Sequence, residues 1–362
     1  MGLYLVIAVA LFCLAFARLT DAIDRRFEVA LTAYLTVLAY VISFIRWETG
    51  TDWPMYIEMY GQITSFNAAL TQTWWGPGYS LIAWLVNSVG GDYSVFLFCI
   101  ATLLFALKFH LLRVTCKAPL VAVFVLFCTS FFDIFFVRQS VAGTLFWAFA
   151  WYFYQRRYVI AFVAGLLAVA FHYSAAIPIA IVMMVGHFSW RRVLFLGVPA
   201  LLAVYYISTQ IDITNAFSAA ARVNDYVNSG FTEQKASSLS TTLRSYAKLS
   251  FWVFVIGAAY LSFLKNGEPE SDTGWSAFCL RCAAGIVACT AVLVPVSEIF
   301  ARLPEYSSSL FAVVLANYRF RMARMSVGGF AYFAALLLLF VQLGFAYSAY
   351  PDLFYPIKTI LG

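Results

Sequence analysis

The chain has 362 residues, of which 63% are hydrophobic and only 11% are charged, and its mean hydropathy is +0.85. Soluble globular domains carry about 25% charged residues, so this composition excludes a soluble domain. We interpret the net charge of +6 as a signal of membrane orientation, and no nucleic-acid partner is predicted.

Apolar runs separated by short polar segments occupy most of the chain. Several runs are shorter than the roughly 17–25 residues that a membrane-spanning helix needs, which is typical of half-helices. Apolar runs without alternation favour helices over a β-barrel. The sequence predicts an all-α polytopic membrane protein, with 1–362 as a single membrane domain and about ten to twelve spans. In chain order the runs are Leu3–Ala17, Val29–Ile45, Tyr93–Leu112, Pro119–Val137, Ser140–Tyr154, Tyr158–Phe171, Tyr173–His187, Val193–Ser208, Leu249–Leu264, Ala283–Ser297, Ser307–Asn317 and Ser326–Gly344.

Basic residues in short loops mark the cytoplasmic side of a membrane protein. We place the N-terminus outside and treat Gly78–Val89 as a re-entrant or surface helix that does not cross. This choice puts 15 of the 23 lysines and arginines, Lys108 among them, on the cytoplasmic side. The short outer loops then hold three arginines, which are Arg46, Arg138 and Arg302.

Two long polar stretches are predicted to lie on the outer side. The stretch 46–75 is rich in aromatic and acidic residues, which favours a loop with a helix lying at the membrane interface. The stretch 210–247 contains Arg222 and Arg244 among Ser, Thr and Asn residues. A loop of this length is usually a lid, a binding element or disordered.

The ionisable residues at the outer edge each have a purely structural interpretation as well. Arg46 alone would be a helix-end residue that extends to the interface, and His172 alone would more often be a packing residue. Glu298 and Arg302 are four residues apart and could pair on one helix face. The charge pattern, however, places all of them on the same side of the protein. Ionisable groups at the edge of a membrane are energetically costly and are usually functional.

Four short motifs follow one another from about residue 40 to residue 310. They are Arg46 with Gly50-Thr51-Asp52 and Tyr56, then Arg138-Gln139, then His172-Tyr173-Ser174-Ala175, and finally Arg302-x3-Tyr306. In these motifs the chain resembles the Wzy-type polysaccharide polymerases of the EpsG class. It departs from them at Gly76-Pro77-Gly78-Tyr79, where these proteins often carry a glutamate before the turn.

The resemblance implies a glycosyltransferase of the bacterial inner membrane whose active site faces the periplasm. Such an enzyme joins oligosaccharide repeat units carried on undecaprenyl diphosphate, and its multi-span fold is similar to that of lipid-donor glycosyltransferases. Its implied partners are the lipid-linked oligosaccharide, membrane lipid and a chain-length regulator protein.

The reaction needs positive charge for the departing diphosphate and a base for the acceptor hydroxyl. Arginine suits the first task because its guanidinium forms bidentate hydrogen bonds to phosphate oxygens. His172 is the preferred base, since its ordinary pKa is about 6.5, with Asp52 as the alternative and Glu298 or Glu305 next. The residues predicted to bind diphosphate or glycan are Arg46, Tyr56, Arg138, Gln139, Arg302 and Tyr306, with Arg222 and Arg244 from the long loop.

No metal or other cofactor is expected. The outer segments lack carboxylates at metal-ligand spacing, and Cys279-x2-Cys282 has no second pair nearby.

Three other functions stay open. A flippase for the same lipid-linked unit would also bind diphosphate, but it is expected to show two related halves and charges along a central cavity. An O-antigen ligase or another lipid-dependent glycosyltransferase would share the chemistry of the polymerase. A membrane acyltransferase would use His172 and leave the three arginines unexplained.

Overall fold

A computed structural model describes residues 2–49, 53–71, 76–135, 137–187, 249–258, 273–293, 302–318 and 327–349, together with Thr359. Every regular element in these ranges is a helix, as predicted. The α-helices are α1 (Gly2–Leu19), α2 (Arg25–Ile45), α3 (Trp53–Gln62), α4 (Phe66–Thr71), α5 (Pro77–Ser88), α6 (Tyr93–Thr115), α7 (Pro119–Ser130), α8 (Arg138–Tyr154), α9 (Tyr158–Phe171), α10 (Ala176–His187), α11 (Leu249–Ala258), α12 (Thr273–Leu293), α13 (Pro304–Ala316) and α14 (Val327–Ala349). Short 3-10 turns, Phe131–Asp133 and Tyr173–Ala175, precede α8 and α10.

Four described helices are long and apolar enough to cross a membrane alone, namely α1, α2, α6 and Gly274–Leu293 of α12. Apolar stretches of 10–17 residues lie in α7, α9, α10, α11 and α14. The protein is therefore an all-α polytopic membrane protein. The total of ten to twelve spans concerns the whole chain and stays a prediction.

The segment between α2 and α6 starts and finishes at one end of the bundle. Tyr40, late in α2, contacts Phe98, early in α6, so the two helices run antiparallel. Within the segment, α5 has 12 residues and is about 18 Å long, too short to cross. Its Asn87 donates to the Tyr60 carbonyl of α3 at 2.9 Å. These features agree with the prediction that this segment does not span the membrane.

The centre of the described bundle is formed by two short helices, α7 and α13. Helix α7 contacts α1, α2, α6, α13 and α14, and within α13 only Glu305 is not buried. Each begins with a proline, Pro119 or Pro304. Proline lacks an N–H, and in the first turn of a helix a backbone N–H would have no intrahelical acceptor. With 12 residues α7 is too short to span a membrane, and it ends just before the buried Phe131, so the backbone beyond it must be satisfied by protein groups.

The chain between α7 and α8 makes a left-handed turn without glycine. Phe131, Phe132 and Asp133 have φ values of 50°, 55° and 64°, a region that costs roughly 1–2 kcal/mol for each L-residue. The Lys108 ammonium forms an ion pair with Asp133 and donates to the Phe132 carbonyl at 3.4 Å. These contacts hold the turn and thereby set the position at which α8 begins.

Lys108 was counted as a basic residue in water on the cytoplasmic side, but the structure shows it buried in the protein. Lys108 is 1% exposed and lies within α6, paired with Asp133. The charge rule assumes that a lysine lies in water, and it cannot detect a carboxylate 25 residues further along the chain that neutralises the charge inside the protein.

The other end of the bundle, which we call the basic end, joins the start of α2 to the ends of α6 and α13. The buried Glu28 carboxylate accepts from Arg18 at 2.8 Å and from Arg25 at 3.0 Å. The Lys117 N–H donates to Asn317 at 2.6 Å, and Arg25 donates to the Lys117 carbonyl at 2.7 Å. At this end, charge is used to fasten helices together.

Candidate functional site

A cavity, open to solvent, lies where α2 ends and α8 begins. We call it the arginine cavity. The described residues that line it include no carboxylate. Six of the residues predicted from the sequence line it: Arg46, Tyr56, Arg138, Gln139, His172 and Arg302.

Two helix N-termini meet at the arginine cavity. Arg138 is the first residue of α8, and Arg302 lies just before α13. The Gln139 side-chain amide donates to the Arg302 carbonyl at 3.3 Å and links the two helix starts. Neither N-cap, Val137 or Leu303, supplies a side-chain hydrogen bond. A helix N-terminus carries partial positive charge, so both helices favour an anion here.

Arg138 is held against the ring of Tyr56. Its Nε donates to Tyr56 Oη at 3.5 Å, and its guanidinium carbon lies 5.6 Å from the centroid of the Tyr56 ring. The Tyr79 hydroxyl in turn donates to the Tyr56 carbonyl at 3.1 Å. Tyr56 therefore fixes the direction of the Arg138 side chain.

Arg46 has a structural function that the sequence did not indicate. It is 2% exposed, and its Nε donates to the Ser43 carbonyl at 3.1 Å. Its Nη1 donates to the carbonyls of Thr49 and Phe135 at 3.2 and 2.5 Å. Burial lowers the pKa of Arg46 to about 10, so the guanidinium stays charged at neutral pH. Arg46 fastens the end of α2 to the segment before α8 and places its charge in the cavity wall.

His172 is part of a hydrogen-bonded chain with Ser174 and Tyr306. Ser174 Oγ lies 2.6 Å from His172 Nδ1 and 3.0 Å from Tyr306 Oη. Ser174 is the hydrogen-bond partner that the described residues provide for the buried Tyr306 hydroxyl. A buried O–H is expected to donate, so we assign Tyr306 as donor to Ser174, and we assign Ser174 in turn as donor to Nδ1. The hydrogen of the neutral imidazole is thereby assigned to Nε2.

The imidazole is neutral at physiological pH. Burial, and then the charges of Arg138 and Arg302, lower the pKa of His172 to about 4. Nε2 has no protein partner within the described ranges, and the residue lines the cavity. His172 therefore presents a neutral N–H donor to whatever occupies the arginine cavity.

The remaining predicted residues are placed elsewhere. Tyr306 lies behind the cavity and reaches it through Ser174, and Glu305 is exposed and lines a second cavity. Among the described residues, no group of three or more His, Cys, Asp or Glu side chains is arranged to hold a metal ion. Four predicted residues lie outside the described ranges, namely Asp52, Arg222, Arg244 and Glu298.

Ser174 is the functional residue that sequence reasoning missed. It appeared in the motif around His172 without a role, because its second partner, Tyr306, is 132 residues further along the chain. The spacing of residues within one motif does not predict a contact of that kind.

The helices and the cavity define a polytopic α-helical membrane protein with an arginine-lined site at one end of its bundle. A sequence model of the EpsG family matches residues 28–359, and the chain belongs to that family. The resemblance found in the four motifs is confirmed. The family indicates a polysaccharide polymerase with glycosyltransferase-like chemistry. No curated protein and no solved structure matches the chain.

Proposed function

We propose that the protein polymerises oligosaccharide repeat units carried on undecaprenyl diphosphate, at the periplasmic face of the bacterial inner membrane. The arginine cavity is the proposed site of the diphosphate. The observation that supports this most is the convergence of Arg46, Arg138, Arg302 and the start of α8 on one cavity. Arginines and helix N-termini are the groups by which proteins recognise phosphates.

In the proposed reaction, the acceptor hydroxyl oxygen attacks the anomeric carbon of the donor sugar. The bond from that carbon to the diphosphate oxygen breaks, and its electron pair leaves with the diphosphate. Arg138 and Arg302 stabilise the negative charge that develops on this oxygen, a contribution that can reach several kcal/mol in a preorganised site. Because arginines supply this charge, we propose that the reaction needs no metal ion.

His172 has a different role in this proposal from the one its ordinary pKa suggested. A base must carry a lone pair that faces the acceptor, whereas the chain from Tyr306 through Ser174 leaves a hydrogen on Nε2. We propose that His172 donates a hydrogen bond to the leaving oxygen, as neutral imidazoles do in other enzymes. The proton of the acceptor hydroxyl then passes to a carboxylate, for which Asp52, Glu298 and Glu305 stay as candidates.

The two ends of the bundle favour a polymerase over a flippase. A flippase must open its binding site to both sides in turn. In the described part of the basic end, ion pairs and hydrogen bonds such as Arg18–Glu28 and Lys117–Asn317 join the helices. A site reached from one side suits an enzyme whose donor and acceptor both arrive on that side.

A deletion strain tests the polymerase function. We expect surface glycan that consists of single repeat units, with the long-chain ladder lost and restored by the wild-type gene. Lipid-linked units trapped on the cytoplasmic face, with no glycan outside, would instead identify a flippase. A chain-length regulator is the proposed protein partner, and its deletion should change the length of the ladder without removing it.

A further inference from the structure

A second cavity, of about 570 Å³, adjoins the arginine cavity, and Gln139 lines both. One face of α8 forms a wall through Ser140, Gly143 and Trp147. Other walls carry hydroxyl groups from the end of α7 and from α13, including that of Ser308. Polar groups inside a membrane protein are costly and usually face a functional cavity.

Two residues that line this cavity carry buried polar atoms without partners among the described residues. Ser140 Oγ and Trp147 Nε1 belong to side chains that are 4% and 1% exposed, and neither makes a hydrogen bond to the described protein. Buried polar groups are nearly always satisfied, so each such atom calls for an explanation. A bound ligand with hydroxyl groups would satisfy both atoms.

The charges at this cavity favour a neutral ligand. Lys108 is the cation among its lining residues, the carboxylate of Asp133 is paired with it, and Glu305 adds a second carboxylate that disfavours an anion. The second cavity thus differs from the arginine cavity, whose described lining includes several cations and no carboxylate. A neutral molecule with many hydroxyl groups, attached to an anion, fits the two cavities together.

We propose that the second cavity binds the sugar residue that is joined to the donor diphosphate. Trp147 Nε1 would donate to a sugar oxygen, and Ser140 Oγ would exchange a hydrogen bond with a neighbouring hydroxyl. Gln139, at the junction, would lie beside the bond between sugar and diphosphate. This inference rests on the proposed function, because it divides one donor between two adjoining cavities.

The substitution Gly143→Phe tests the proposal by filling the cavity. A Cβ atom built at Gly143 meets no heavy atom within 4 Å, and the residue lies in a regular helix. The matched control is Gly257→Phe in α11, where a Cβ atom also meets nothing within 4 Å and the residue is exposed. The control lies outside both cavities.

Two probes would be titrated against purified protein in lipid nanodiscs. The first is undecaprenyl diphosphate, and the second is the lipid-linked repeat unit extracted from the deletion strain. We expect wild type and Gly257→Phe to bind the sugar-bearing probe at least about tenfold more tightly, or about 1.4 kcal/mol. Gly143→Phe should remove this preference and leave the affinity for undecaprenyl diphosphate unchanged.

A Gly143→Phe protein that keeps the preference for the sugar-bearing probe would overturn this inference and leave the proposed function standing. If wild type bound neither probe, the proposed function itself would fail, and that result is separate. Ser140→Ala and Trp147→Phe provide a second test that does not depend on the folding of the first variant. Each should weaken binding of the sugar-bearing probe by roughly 3- to 10-fold, with thermal stability preserved, since neither atom has a partner in the described protein. If neither variant weakens binding, the cavity holds only water and the proposal is wrong.

Discussion

Arginines at the two ends of α2 differ in their described surroundings. At the basic end, Arg18 and Arg25 share the buried carboxylate of Glu28. At the other end, Arg138 and Arg302 line a cavity whose described lining includes no carboxylate. At the basic end the protein itself supplies the anion and arginine fastens helices, whereas at the arginine cavity two helix N-termini and the arginines favour an anion.

Arg46 shows that one arginine can both fasten helices and face the cavity. Its guanidinium donates to three backbone carbonyls, as a fastening residue does, yet its charge lines the arginine cavity. Carbonyl oxygens orient a guanidinium without neutralising it. Arg46 can therefore hold the cavity wall and attract a diphosphate at the same time.

The largest expected effect is that of Arg138→Ala on polymerisation. Removing a preorganised donor from a developing oxyanion typically costs about 100- to 1,000-fold in rate, and we expect a loss in that range. The measurement is the formation of glycan ladders from lipid-linked repeat units in reconstituted vesicles. Arg113→Ala, at an exposed arginine of α6 near the basic end, is the control and should keep the wild-type rate. Equal losses in both variants would abolish the contrast between the two ends.

Glu28→Gln should have the opposite balance of effects to Arg138→Ala. We expect a large loss of stability and a small change in reaction rate. It leaves Arg18 and Arg25 without the carboxylate they share. We expect the free energy of unfolding to fall by about 2 kcal/mol, less than for a fully buried pair because Arg25 is partly exposed. Thermal unfolding in detergent measures this loss, and the rate per folded molecule should stay near that of wild type. A rate loss as large as that of Arg138→Ala would mean that this end also serves the reaction.

Substitutions of His172 distinguish a donor from a base. A glutamine amide can place an N–H near the position of Nε2, but it cannot accept a proton at neutral pH. We expect His172→Gln to keep activity within about 10-fold of wild type, and His172→Ala to lose about 10- to 100-fold, in line with the loss of one donor to a charged group. If both variants are equally inactive, His172 is the base and the donor role is wrong.

A further prediction concerns the pH dependence of stability. The pKa of His172 is about 4 in the folded protein and about 6.5 in an unfolded chain. Between these values the unfolded chain binds a proton that the folded protein does not, so the free energy of unfolding falls as the pH drops from 6.5 to 4. His172→Gln should make that decline shallower, which unfolding measured across this pH range would detect.

A related titration tests the electrostatics of the cavity. Arg302→Gln removes one of the charges that lower the pKa of His172, so this pKa should rise toward its ordinary value. NMR titration of the histidine ring measures the change, and the three histidines of the chain make assignment by substitution practical. An unchanged pKa would mean that Arg302 does not act on the cavity in solution.

The fold class could be predicted because it depends on strong physical costs, and the same costs directed attention to a few charged residues. Apolar runs specify helices in lipid, and charges left on one face of such a protein need a reason. Arg138, His172 and Arg302 were brought together by this logic, and the structure places them in one cavity.

What could not be predicted depends on contacts between distant parts of the chain. Nothing in the sequence near Lys108 shows that it pairs with Asp133. The left-handed turn at Phe131–Asp133 contains no glycine from which it could be predicted. The direction of the hydrogen bond at His172 depends on Tyr306, which approaches only in the folded protein. An ordinary histidine pKa thus suggested a base, whereas the surroundings favour a donor.

The most direct test of the central claim is the affinity of undecaprenyl diphosphate for the purified protein. We predict that Arg138→Gln and Arg302→Gln each weaken binding by at least about tenfold, close to 1.4 kcal/mol, as expected for a lost charge-assisted contact to phosphate. Arg113→Gln should bind as wild type does. Equal affinities in all four proteins would contradict the assignment of the arginine cavity as the diphosphate site.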